Sequence, residues 1–255
     1  MKFDLSAKTI LVTGGGSGIG AAIAQTLALQ NATLGVLDVH PEAAEETCQK
    51  IHAAGGKALP LACDVSNFSE VTACVAQFER IDALINNAGI AHVGSLENTS
   101  PEDLDRLYAV NIKGVFHAAK AVLPKMKQQK SGNIVNIASI AGSLGIADRF
   151  AYSMTKGAVL SMTYSIAKDF INDGIRCNSI SPARIHTPFV DGFIKKNYPG
   201  KEDEMFEKLS KTQPIGRMGT PQEVADLVLF LCSDEATFIT GTDLPIDGGF
   251  IRLNS

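Results

Sequence analysis

The chain has 255 residues, 45% of them hydrophobic, and a formal net charge of −4. That is enough apolar material for one large core, and mild acidity without a basic stripe argues against a nucleic-acid partner. No apolar run is long enough to span a bilayer, and Met1 to Lys8 carries Asp4 and no apolar stretch, so neither a membrane span nor a secretory signal is expected. The five cysteines, Cys48, Cys63, Cys74, Cys177 and Cys232, are scattered without a C-x-x-C spacing. Reduced thiols in a cytoplasmic protein, with no metal bound, are the expectation.

In chain order, Thr9 to Val12 is a short β-branched run that predicts a strand. After a glycine-rich turn, Ala21 to Gln30 predicts a helix. Thr33 to Leu37 predicts a second strand ending at Asp38, and Pro41 to Ala54 a helix stopped by Gly55-Gly56. Ala58 to Cys63 predicts a third strand, running into Asp64. A helix over 66–78 follows, with Ser66 as its N-cap. Ile81 to Ile85 predicts a fourth strand, leading into Asn86-Asn87-Ala88-Gly89. A short helix from Pro101 and a long one reaching about Lys127 come next, then a strand over 132–138. A long helix over 151–170, a strand over 175–180, a helix over 221–232 and a short strand over 243–246 complete the series. Strands alternating with helices imply right-handed crossovers and a parallel sheet covered on both faces. The fold class is therefore α/β: a doubly wound, parallel, seven-stranded sheet flanked by helices. No linker or low-complexity stretch divides the chain, so 1–255 reads as a single domain, with a substrate-loop insertion at about 188–216.

Ligands on such sheets sit at the carboxyl ends of the strands. Asp38, Asp64, Asn86-Asn87, Ser139 and Pro182 all fall there. The run Thr13-Gly14-Gly15-Gly16-Ser17-Gly18-Ile19-Gly20 joins the first strand to the first helix. Glycines let backbone approach a pyrophosphate, and the helix start offers free N–H groups and a positive dipole end. Its spacing is T-G-x-x-x-G-x-G, and glycine also serves tight turns without a ligand. Asp38 lies about 20 residues on, where a carboxylate suits adenosine ribose hydroxyls. It also repels a 2′-phosphate, and Gly15, Gly16, Val39 and His40 offer no Arg or Lys to receive one, so NAD is favoured over NADP. A plain turn before Pro41 is the alternative for Asp38.

Tyr152 and Lys156 are four apart at a helix start and share a face. A free phenol with a pKa of about 10 is a poor base at neutral pH. A neighbouring ammonium favours the phenolate, so Tyr152 can exchange a proton with an alcohol or alkoxide. Plain packing is the alternative for the tyrosine. Ser139 is placed to hydrogen-bond the reacting oxygen or to cap a turn. Asn111, within Tyr108-Ala109-Val110-Asn111-Ile112, must satisfy a buried amide and is suited to holding a water.

In order and spacing along essentially the whole chain, several motifs resemble the short-chain dehydrogenase/reductase family. They are Thr13 to Gly20, Asp64-Val65, Asn86-Asn87-Ala88-Gly89, Asn111, Ser139, Tyr152-x-x-x-Lys156 and the tail Asp247-Gly248-Gly249. The resemblance implies a Rossmann-type fold and a hydride transfer between a secondary alcohol or ketone and NAD. It implies cofactor contacts at Gly14, Ser17, Gly18, Ile19, Gly20 and Asp38, adenine contacts at Asp64 and Val65, and a lining at Asn87, Ala88 and Gly89. Ile185 and Thr187 would touch the carboxamide end of the nicotinamide. Tyr152 would be the general acid/base and Lys156 would lower its pKa and bind the nicotinamide ribose. Ser139 would orient the substrate oxygen, and Asn111 would hold a water relaying protons from Lys156. Relatives are usually tetramers, so a homo-oligomer is expected. Two positions depart from the family: Pro182-Ala183 replaces Pro-Gly, and Pro245 interrupts the last strand and predicts an edge.

Three arginines suggest the substrate. Arg149, Arg184 and Arg217 are candidates to grip a carboxylate, since guanidinium forks suit carboxylates bidentately. A sugar acid, a sugar or a small hydroxy acid is the expected substrate; surface or interface salt bridges are the alternative for each arginine. His92 and His186 read as pocket-edge residues or bystanders. The other functional readings are a 3-oxoacyl carrier-protein reductase, which relatives commonly run on NADPH, and a non-catalytic NAD-binding member.

Overall fold

The computed structural model describes residues 2–253, without the side chains of Phe189, Lys196 and Asn197. Met1 and the Phe189 side chain, at the starts of two segments singled out above, lie outside the described residues. In chain order the elements are β1 (Thr9–Thr13), α1 (Gly18–Leu29), β2 (Thr33–Asp38), α2 (Pro41–Ala53), β3 (Lys57–Ala62) and α3 (Phe68–Ala76). Then come β4 (Ala83–Asn86), α4 (Pro101–Leu107), a π-helical turn (Tyr108–Lys113), α5 (Gly114–Gln129), β5 (Gly132–Ile137) and α6 (Phe150–Phe170). The chain continues through β6 (Ile175–Pro182), α7 (Pro188–Asn197), α8 (Glu202–Lys211), α9 (Pro221–Cys232) and β7 (Asp243–Ile246).

The strands form one parallel sheet in the order β3-β2-β1-β4-β5-β6-β7. Chain direction across the sheet reverses between β1 and β4, where their carboxyl ends splay a crevice. The central strands are apolar on both sides because helices cover both faces. On one face Ile23 and Leu27 of α1 meet Val224, Val228 and Leu231 of α9 over Ile10, Val12 and Ile85. On the other, Val71 and Val75 of α3 and Val122 and Met126 of α5 pack over Leu11, Leu84 and Ile134. Each fully buried Leu or Ile contributes about 1.5–3 kcal/mol. Pro245 lies in β7, which pairs only with β6, so the proline that cannot donate sits on an edge strand as predicted.

Polar groups also cross the core. Asn86 Nδ2 donates to Asn136 Oδ1 at 2.8 Å, and Asn136 Nδ2 donates to Thr163 Oγ1 at 2.9 Å. This relay ties β4 to β5 and β5 to α6. Asn136 is fully buried, and stranding its amide would cost about 1–3 kcal/mol.

Two local expectations change. The N-cap of α3 is Asn67, not Ser66: its Oδ1 receives the Ser69 N–H at 3.1 Å and the helix starts at Phe68. Asp64 Oδ1 takes the Ser66 N–H at 2.9 Å, so a side-chain turn consumes 64–66 and pushes the helix start along the chain. The segment 188–216 is not a loop but carries α7 and α8. Pro188 opens α7, and α8 has Glu202, Asp203 and Glu204 in its first turn with Lys208 and Lys211 in its last. Both patterns favour helix ends.

Candidate active site

The glycine turn leaves β1 and bends sharply, with Gly14 at φ +61° and Gly18 at φ +52°. A Cβ on Gly14 would lie 2.8 Å from Ala88 Cα, and one on Gly20 would collide with the Gly14 carbonyl. These glycines let the turn pack against 87–89 and against the start of α1. Ser17 is the N-cap of α1, yet its side chain makes no capping bond and the first turn holds no acid. Thr187 likewise makes no capping bond at the start of α7, although that first turn carries Asp191. A Cβ on Gly18 would sit 3.7 Å from Thr187 Cγ2, so the two helix starts face each other across a narrow gap. Free N–H groups and two positive dipole ends fit a pyrophosphate.

Around that gap the polar groups are fixed. Asn87 Nδ2 donates to the Thr13 carbonyl at 3.1 Å and the Gly14 carbonyl at 2.9 Å. Thr13 Oγ1 receives the N–H groups of Asn87 and Ala88, both at 3.1 Å. Thr13 was not singled out as a site residue; its signal is a hydroxyl at a strand end, placed to satisfy the next strand's exit. Asp38, 9% exposed, receives the Gly16 N–H at 2.9 Å and the His40 N–H at 3.0 Å. Its carboxylate is thus anchored beside the glycine turn, and among the described residues no Lys or Arg pairs with it. At the β3 end the Val65 carbonyl bonds the His117 ring at 2.9 Å, and a Cβ on Gly114 would lie 2.7 Å from Val65 Cγ2. Asp64 and Val65 therefore form a wall held by α5. Ile185 is buried and bridges to Gly219.

The catalytic candidates converge at the ends of β5 and β4. Ser139 ends β5, is buried, and its Oγ receives the Ala141 N–H at 3.2 Å, so it caps a turn as well as facing the site. Tyr152 and Lys156 project from the first turns of α6. Lys156, 6% exposed, donates to the Ile137 carbonyl at 2.7 Å, and its Nζ lies 5.9 Å from the Tyr152 ring centroid. Burial alone pulls the Lys156 ammonium down to about 8. Burial also holds the Tyr152 phenol above its ordinary value, against the Ser139 hydroxyl and the Arg149 charge, which favour the phenolate. Desolvation thus raises the phenol, and the charge that favours the phenolate is that of Arg149 rather than the expected Lys156.

Asn111 sits in the π-helical turn and staples three pieces together. Its Nδ2 donates to the Ile90 carbonyl at 2.9 Å and to Thr155 Oγ1 at 3.0 Å, and its Oδ1 receives the Ile90 N–H at 2.8 Å. Both amide hydrogens are taken by protein groups, so a water held by this residue would donate to one of its oxygens. A Cβ on Gly89 would lie 3.3 Å from Asn111 Oδ1 and 3.6 Å from Lys156 Nζ, which places Gly89 between the two.

Of the three arginines, one acts on Tyr152 and a second lies near the first. Arg149 precedes α6 and its charge reaches the Tyr152 phenol. Arg184 follows β6; burial and the Arg149 charge both press its guanidinium toward neutrality. Its buried Nε has no hydrogen-bond partner, and neither Arg149 nor Arg184 makes an ion pair among the described residues. Arg217 is placed differently. Its fork closes on Glu223 at 2.9 and 2.7 Å, and Glu223 also completes the capping box of α9 with Thr220. His186 bonds Asp191 at 2.7 Å and stacks edge-on to Phe206 at 5.0 Å, so it joins α7 to α8. His92 leaves Nε2 buried without a partner, with Nδ1 3.6 Å from Asp103.

A family model described as enoyl-(acyl carrier protein) reductase matches residues 14–251. An uncharacterized oxidoreductase of Thermotoga maritima is 39% identical over 248 residues, which is 96% of this chain and 98% of that protein. The 2-(R)-hydroxypropyl-CoM dehydrogenase of Xanthobacter autotrophicus is 38% identical over 254 residues, 96% of this chain and 99% of that one. The crystal structure of a short-chain type dehydrogenase/reductase from Mycobacterium marinum aligns at a TM-score of 0.90 with 33% identity, covering 98% of both chains.

Proposed function

The chain belongs to the short-chain dehydrogenase/reductase family, and from that premise we propose that it moves hydride between NAD and a secondary alcohol or ketone bearing a carboxylate. One observation carries the substrate reading. Arg149, whose charge reaches Tyr152, and Arg184 repel one another, and the buried Arg184 Nε has no acceptor. Two unpaired guanidinium groups held that close are relieved by an anion between them. The hydroxypropyl substrate in the name of the Xanthobacter relative supports a secondary alcohol as the reacting group.

The nicotinamide, when bound, supplies the hydride acceptor or donor. The chain's residues do the rest. The uncapped starts of α1 and α7 receive the pyrophosphate. Asp38 accepts ribose hydroxyls and disfavours a 2′-phosphate, which supports NAD and counts against the carrier-protein reductase reading. Ser139 hydrogen-bonds the reacting oxygen and Tyr152 exchanges its proton. Arg149 and Arg184 fix the carboxylate, so the carbon that reacts is set by its distance from that end.

The test is NAD reduction by the purified protein across hydroxy acids, sugar acids, neutral sugars and simple secondary alcohols, with NADP in parallel. Activity confined to acids supports the reading; activity confined to neutral alcohols overturns it. Turnover with no member of the panel, alongside NADH binding, would favour a binding module. A second variant tests the cofactor. Asp38→Ala is expected to weaken NAD and to raise the NADP to NAD ratio of kcat/KM by about tenfold, the size of one lost charge-assisted hydrogen bond. An unchanged ratio would remove Asp38 from cofactor choice.

A further inference from the structure

At the other end of the sheet, the residues that begin β1, β4, β5 and β6 frame a cleft of about 450 Å³. That falls in the range of roughly 300–1,000 Å³ typical of small-molecule sites. Its wall carries three cations, Lys8, Arg80 and Arg176, and two carboxylates, Asp82 and Asp234. The charges pair unevenly. Lys8 takes Asp234 at 2.6 Å and Arg80 takes Asp82 at 2.6 Å. Arg176 is left over: among the described residues it has no ion pair.

Arg176 is half-buried, and burial works against its charge. It gives two N–H groups to the carbonyls of Leu231 and Ile239, both at 2.9 Å. A guanidinium has five such donors, and its other N–H groups have no partner among the described residues. Asn133, 6% exposed and in the same wall, spends its Nδ2 on the Leu231 carbonyl at 2.9 Å, while its Oδ1 has no donor. One surplus positive charge matches a monoanion. The remaining N–H donors of Arg176 match a carboxylate in particular. The two carboxylates match hydroxyl donors, and they disfavour a dianion.

We infer that this cleft is a binding site for a small hydroxy-carboxylate, separate from the catalytic crevice at the opposite ends of the same strands. The inference stands on the cleft alone and holds whichever substrate the active site takes.

The probe is D-glycerate, titrated by calorimetry into the full chain and into Arg184→Ala at matched chloride. Saturable binding is expected in both proteins. Adding Arg176→Gln is expected to weaken it by about tenfold or more, since a charged hydrogen-bonding partner is lost. Arg176 also holds two carbonyls, so Thr237→Trp provides an independent variant: Thr237 lines the cleft, is exposed, and a large ring there blocks entry. Binding that survives Arg184→Ala and is lost in Thr237→Trp supports the site. No saturable binding, binding abolished by Arg184→Ala, binding indifferent to Thr237→Trp, or equally tight binding of inorganic phosphate would each overturn it.

Discussion

Tyr152→Phe is expected to lower kcat by about 10²- to 10⁴-fold, the usual worth of a positioned acid/base, while NADH titration by fluorescence keeps its affinity. The variant keeps the ring that packs over Lys156 and removes only the oxygen that Ser139 touches. The pH profile gives a second readout. Burial holds the Tyr152 phenol above its ordinary value, so the proton is bound at neutral pH. Alcohol oxidation needs that proton gone and is expected to rise with pH across the neutral range. Ketone reduction needs it present and is expected to fall. Burial pulls the Lys156 ammonium down to about 8, so its positive charge fades above that point. Full turnover in the Phe variant would move proton exchange to another group.

Arg184→Ala is expected to raise KM for acid substrates by about 10- to 100-fold, equivalent to the roughly 1.5–3 kcal/mol of a charged hydrogen bond. Its rate on a neutral ketone should hold. Thermal stability separates this role from a structural one. Arg184 makes no ion pair among the described residues and is pressed by the Arg149 charge. Its removal should therefore leave Tm unchanged or raised. A lower Tm with unchanged KM would make Arg184 a packing residue. Arg217→Ala gives the contrast: it breaks the fork on Glu223 at the start of α9, so its cost should fall on stability.

Much of this architecture is legible because it is local. The glycine run, the Asp38 strand end and the i, i+4 pair of Tyr152 and Lys156 are patterns within one or two elements. Each keeps its meaning before the chain is folded. Helix starts proved less secure, because neighbouring side chains compete for the same N–H groups. Asp64 took the Ser66 N–H, and the cap passed to Asn67. The helices α7 and α8 were legible in principle from Pro188 and the charge gradient of 202–211, although the segment reads as a loop insertion. Partners far apart in sequence left no trace. Asn86, Asn136 and Thr163 are separated by 50 and 27 residues, and nothing in their spacing announces a relay. The same holds for Tyr152: its spacing from Lys156 gives the sign of one charge effect, and only the folded surroundings show that desolvation raises the phenol.

The π-helical turn at Tyr108–Lys113 has a consequence for how this sequence can change length. A π turn accommodates one residue more than an α turn. Each residue in an α-helix advances the face by about 100°. Losing a single residue from this stretch would let the helix run on as regular α, yet it would rotate Asn111 away from Ile90 and Thr155 or swing α5 off α3. Point substitutions at Ala109 or Val110 leave the winding intact. Apart from Asn111, the stretch is therefore more tolerant in composition than in length, so a lineage that inherits it has no short route to shedding a residue.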